Sequence, residues 1–167
     1  MKNVKMGSAS SLPKTEKLTR KQKRLLREAD KTVSLFSLAG RCFDAKIVDV
    51  HDGDTVTVAM FVNGQLNTYQ CRLSGIDAPE LRPRRDVVGR DVIIANAQAS
   101  RDYLSSLVPE DRMVVVKVSD EKEKYGRLLV TLYSRTQQQD LNTMMLESGH
   151  AQKYNGGTKD PYNGLAE

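Results

Sequence analysis

Asp54, Arg72, Asp77, Glu80 and Arg127 are side chains of the kind that hold a cation against a phosphate, and all lie at ends of strand-like runs. Asp54 belongs to the turn His51-Asp52-Gly53-Asp54-Thr55. Arg72, Asp77 and Glu80 belong to Arg72-Leu73-Ser74-Gly75-Ile76-Asp77-Ala78-Pro79-Glu80, and Arg127 closes Lys124-Tyr125-Gly126-Arg127. Asp54 and Asp77 are hard oxygen donors suited to Ca²⁺ or Mg²⁺, whereas the His and Cys spacing of a zinc site is absent. The Asp-Gly-Asp turn lacks the ladder of acids of an EF-hand loop. Two carboxylates leave most of a coordination shell to water, carbonyls and substrate, so affinity for the free ion should be weak. The guanidinium groups of Arg72 and Arg127 can grip a phosphate through two parallel hydrogen bonds. Glu80, beyond a proline turn, can hold a water for in-line attack.

Taken singly, each residue has an ordinary use: Asp52 and Asp54 as turn formers, Arg72 and Arg127 as surface ion-pair partners, and His51, Lys124 and Tyr125 as loop residues. Their coincidence at three strand ends points to one site. One geometric demand follows, because Arg72 and Asp77 are five residues apart and a flat strand would aim them at opposite faces. A bulge or bend near Gly75 is required.

The elements that must position these groups can be read from periodicity. Arg41 to Val50 is β-rich, Asp54 to Val62 alternates with Val56, Val58, Met60 and Val62 on one face, and Asn67 to Ile76 returns after Asn63-Gly64. The Asp-Gly and Asn-Gly pairs are hairpin signals, so these runs form a three-strand meander. Ala78-Pro79 ends it and Leu81 to Arg85 is a cationic loop. From Gly89 to Val108 the spacing predicts a helix burying Val92, Ala95, Ala99, Tyr103 and Leu107, with Pro109 past its end. Met113 to Val118 and Arg127 to Tyr133 are further strands, and Asp140 to Ser148 is a short helix turning Leu141, Met144 and Met145 inward before Gly149. Five short strands with a helix after the third fit a Greek-key barrel of the OB type, mainly β with α, better than a doubly wound sheet.

The chain has 167 residues, room for one domain and an appendage. Its net charge of +5 is unevenly spread: residues 1–40 hold 10 Lys+Arg against 3 Asp+Glu (+7), leaving 16 against 18 (−2) for the rest. A diffuse attraction to polyanions therefore belongs to the arm, and the body needs placed arginines or a metal to hold a phosphate. Within the arm, Thr15 to Lys31 reads as a basic helix with Leu18, Leu25, Leu26 and Ala29 on one side. It either contacts nucleic acid, an anionic membrane surface or a partner, or packs its leucines on the body. The expected division is an arm over 1–40, a barrel domain over 41–154 and a loosely ordered tail over 155–167. Cys42 and Cys71 read as isolated core thiols, and the first residues carry no secretory signal, so an intracellular monomer is expected. Met6-Gly7-Ser8 would fit a myristoylation pattern only if translation began at Met6.

Asp52-Gly53-Asp54-Thr55, Arg72 through Glu80, Lys124-Tyr125-Gly126-Arg127, and the following Leu141-Asn142 and Gly149 together resemble the staphylococcal nuclease family over residues 41 to 154. The resemblance implies a five-stranded OB barrel with three helices and Ca²⁺-dependent hydrolysis of DNA and RNA to 5′-hydroxyl and 3′-phosphate ends. It implies that Asp54 and Asp77 bind Ca²⁺ through carboxylates and Ala78 through its main-chain carbonyl. Arg72 and Arg127 would clamp the phosphate, Glu80 would act as general base or position the water, and Asp52 would support the ligands. Lys124, Tyr125 and Tyr154 would contact substrate, although the spacing at Tyr154 departs from the family pattern. The rival reading is a non-catalytic OB module that binds nucleic acid, or an adaptor working through the basic arm.

Overall fold

The computed structural model describes residues 15–121 and 126–157. Contacts divide the chain into two units, Met1–Ser37 and Leu38–Glu167. In the first unit, α1 (Arg20–Glu28) is closed at its start by a capping box, in which Thr19 accepts from the Gln22 amide and Gln22 accepts from the Thr19 amide. It buries none of its residues.

The second unit is a closed barrel built from β1 (Cys42–Asp52), β2 (Thr55–Val62), β3 (Gln65–Leu73), β5 (Met113–Val118) and β6 (Leu128–Tyr133), in the order β1-β2-β3-β6-β5. A two-stranded sheet pairs β4 (Ile76–Asp77) with β7 (Gln152–Lys153), and α2 (Arg90–Leu107) and α3 (Leu141–Glu147) complete the unit. All barrel pairings are antiparallel except β3 with β6, so the fold is the mixed OB barrel that the strand order implied. Alternation supplies the interior: Phe43, Ala45 and Ile47 from β1, Val56, Val58 and Met60 from β2, Val114, Val116 and Val118 from β5, and Val130 and Leu132 from β6 are buried together. Pairing of β1 with β2 slips between Ile47 and Asp49 and again between Val50 and Asp52, bends that help a short sheet curl shut.

Three sequence expectations change. The buried residues of α2 are Ala97, Ser100, Leu104 and Leu107, while Val92 is 63% exposed, so the helix is rotated from the face that periodicity favoured. An alanine-rich helix has a shallow hydrophobic gradient, and a close approach to the β1–β2 turn sets its rotation instead. Cys42 is exposed, and only Cys71 is a core thiol, whose pKa burial pushes up to about 12. The basic helix is also shorter than the Thr15 to Lys31 stretch and ends at Glu28.

Candidate functional site

The barrel brings separated strand ends to one rim. Thr55 pairs with Arg72 across β2 and β3, and the parallel pairing of β3 with β6 sets Arg72 opposite Leu129. Asp54 therefore sits beside Arg72, and Arg127 precedes β6 at the same end. The Leu73 amide donates to the Asp54 carbonyl at 2.8 Å and locks the turn to β3.

The bend required between Arg72 and Asp77 is present as a change of element. Strand β3 stops at Leu73, Gly75 takes φ +79°, and β4 starts at Ile76. That left-handed conformation is cheap for glycine alone, and it returns Asp77 to the side of Arg72. The turn is held by Asn142, whose amide group donates to the Ser74 carbonyl (2.9 Å) and the Val130 carbonyl (3.0 Å) and accepts from the Leu132 amide (3.1 Å). On the other side, β7 pairs with β4, and the Tyr154 amide donates to the Gly75 carbonyl at 3.0 Å.

Gly53 is glycine because of packing and not because of its turn conformation. The hairpin loop it opens does not require a positive φ there, but a Cβ at this position would lie 2.7 Å from the Cβ of Ser100 and 2.8 Å from that of Ala78. Helix α2 thus presses on the Asp52–Asp54 turn through its small residues, and only a residue without a side chain fits between them. Ser100 is itself fixed by donating to the His150 carbonyl at 2.7 Å.

At the centre is Arg72, 9% exposed. One guanidinium nitrogen donates to Asp54 Oδ2 at 2.7 Å, and the other donates to Asp77 Oδ1 at 2.7 Å. Asp54 Oδ2 also accepts the Ala78 amide at 3.1 Å, and its Oδ1 accepts the Thr55 hydroxyl at 2.8 Å. Asp52 braces the turn by accepting the Asp54 amide at 3.2 Å. Burial, assisted by the nearby Asp52 charge, pushes the Asp54 carboxyl up to about 6 despite the opposing pull of Arg72. For Arg72, burial works against the charge, but Asp54 and Asp77 outweigh it and raise its pKa. Arg72 thus bridges two buried acids, Asp54 and Asp77.

Above this cluster opens a cleft of about 1110 Å³, lined by His51, Asp52, Asp54, Arg72, Glu80 and Arg127 and further by Ala78, Arg82 and Tyr154. Glu80 is exposed at its wall and Arg127 half-buried. Tyr154 stands with its ring centroid 5.8 Å from the Arg72 guanidinium carbon, in cation–π range. Asp77 joins the site through Arg72. Lys124 and Tyr125 lie outside the described residues. Sequence reasoning did not single out Arg82, the packing role of Gly53 or the Asn142 hub. It also gave His51 no place in the cleft, where His51 is held by Asp49 Oδ2 at 3.2 Å and Thr57 Oγ1 at 2.7 Å.

A family model described as staphylococcal nuclease homologue matches residues 70–165, more than half of the chain. The chain belongs to that family. The matched stretch contains Arg72, Asp77, Glu80 and Arg127; Asp52 and Asp54 precede it and reach the same rim only because β2 pairs with β3. A search of curated proteins gave no match. Membership and fold together support a nuclease-like or nucleic-acid-binding OB barrel. None of the described helices is long and apolar enough to cross a membrane.

The donor chemistry suits a hard divalent cation. Asp54 and Asp77 are buried carboxylates aimed at a common point, now occupied by the Arg72 guanidinium, and carboxylate oxygens are the donors such an ion prefers. No group of three or more His, Cys, Asp or Glu side chains able to hold a metal occurs among the described residues. Among the described residues, Asp54 and Asp77 are the buried acids that such an ion would meet here.

Proposed function

We propose that the protein is a Ca²⁺-dependent nuclease that hydrolyses phosphodiester bonds of DNA and RNA and leaves 5′-hydroxyl and 3′-phosphate ends. The observation that carries the reading is a buried arginine that lines an open cleft together with Asp54, Glu80 and Arg127 and bridges Asp54 to the buried Asp77 behind it. Asp54 and Asp77, with the Ala78 carbonyl, would hold the ion, and Asp52 would steady Asp54. When bound, Ca²⁺ supplies Lewis-acid stabilisation of charge on the phosphate oxygens.

The chain's own groups do the rest. Arg72 and Arg127 donate to the phosphate and gain strength as negative charge accumulates in the transition state, in a site partly shielded from water. Glu80, exposed to the cleft, accepts a proton from the attacking water or orients it along the line of the leaving oxygen. Lys124, Tyr125 and Tyr154 would contact the substrate.

The test is incubation of plasmid DNA and single-stranded RNA with the full chain in Ca²⁺, Mg²⁺ or EDTA, followed by direct end labelling. Cleavage in Ca²⁺ alone, with 5′ ends that accept label without phosphatase treatment, supports the reading. Arg127→Ala should lower the rate by ~10²–10³, the typical loss for one transition-state donor. Binding without cleavage in any metal would refute catalysis and leave a nucleic-acid-binding module.

A further inference from the structure

The N-terminal unit carries a basic and apolar surface of its own. In α1, Arg20, Arg24 and Arg27 follow one another at i, i+4 and i+7 and form a basic stripe, with Lys23 beside it. Leu25 and Leu26 flank Gln22 on the opposite side. These leucines are 51% and 66% exposed, and Val33, Leu35 and Phe36 just beyond are 63%, 87% and 71% exposed. Large apolar side chains so open to water, on and just beyond the helix whose other side concentrates positive charge, call for an occupant that satisfies both.

We propose that α1 and the segment Val33–Phe36 adsorb to an anionic phospholipid surface. Charge complementarity requires an anionic occupant, and the apolar side chains decide which. A nucleic acid would neutralise the arginine stripe but leave Leu25, Leu26, Leu35 and Phe36 in water. A bilayer interface takes both, with the apolar side chains below the headgroups and the long Arg and Lys side chains reaching back to lipid phosphates. The helix is nine residues long, short enough to be marginal in water even with its Thr19–Gln22 capping box. An interface that buries its leucines would stabilise it. The inference is independent of the cleft chemistry, so either can fail without the other.

The experiment is flotation of the full chain with vesicles of phosphatidylcholine alone, or with about one-third phosphatidylserine, at physiological and raised salt. Binding is expected only to the anionic vesicles, and raised salt should weaken it. Arg20→Gln, Lys23→Gln, Arg24→Gln and Arg27→Gln together should cost about 100-fold or more in partitioning, since each basic side chain near such a surface contributes about fivefold. Leu25→Ser with Leu26→Ser should cost about tenfold or more. Thermal unfolding of the barrel should be unchanged in both variants, so that loss of binding is not loss of fold. Absence of flotation with anionic vesicles would overturn the proposal. So would a leucine variant that floats as well as the parent while the arginine variant loses affinity for duplex DNA, which would mark the arm as a nucleic-acid contact.

Discussion

The most informative perturbation is Asp54→Asn, because the carboxylate proposed to hold the metal also carries a cost in stability. Its pKa is pushed from an ordinary 3.8 up to about 6, chiefly by burial. That difference corresponds to about 3 kcal/mol for carrying the ionised form at pH 7.5. The sign follows from proton binding. The folded state holds this proton more tightly than the unfolded state, so the stability linked to it is present below pH 4 and lost as pH rises through about 6. Asparagine removes the penalty without demanding new packing. Its carbonyl oxygen can take the place of Oδ2 and accept from Arg72 and the Ala78 amide. Its amino group then faces the Thr55 hydroxyl, which can turn from donor to acceptor.

Part of the gain is offset because the Arg72 bond is no longer made to a charge. A net stabilisation of about 1–2 kcal/mol is expected at pH 7.5, or ~2–8 °C in Tm for a domain of this size. Thermal unfolding in EDTA at pH 7.5 and pH 4.5 checks this: the variant should gain at the higher pH and not at the lower. Cleavage should be lost, since a neutral amide is a poor ligand for a hard cation. A variant destabilised more at pH 7.5 than at pH 4.5 would refute the reasoning, because the ionised carboxylate would then be a net stabiliser through Arg72.

Gly53→Ala should destabilise by about 1–3 kcal/mol in urea unfolding, as the new methyl meets Ser100 and Ala78 at less than van der Waals separation. Pairing it with Ser100→Gly should recover part of the loss. Asn142→Ala takes a partner from the Ser74 carbonyl and the buried Leu132 amide, while the Val130 carbonyl keeps the Ser74 amide, and should cost about 2–3 kcal/mol, read as a lower urea midpoint. A maleimide at pH 7.5 should label one thiol of the folded protein, that of exposed Cys42, because Cys71 is buried with its pKa pushed up to about 12; labelling of both without denaturant would contradict this core.

Alternation in β2, the Asn63-Gly64 turn and the proline and glycine stops were enough to read the barrel from the chain, since strand period and turn dihedrals are local properties. Asn63 and Gly64 both take positive φ, as their types suggested. The acids and arginines were equally visible, because their chemistry does not depend on fold. What local pattern could not give was the rotation of α2. Its alanines make several faces nearly equivalent in transfer free energy, and the contact of Ser100 with Gly53 decides among them. Nor could it give the placement of Arg72 between Asp54 and Asp77, which depends on a parallel pairing, a left-handed glycine and an amide hub from residues up to 70 positions apart. The sequence by itself determined which groups are available and which strands can close. Only the tertiary structure decided which of those groups share a buried, low-dielectric pocket, because desolvation and distance are properties of the assembled barrel.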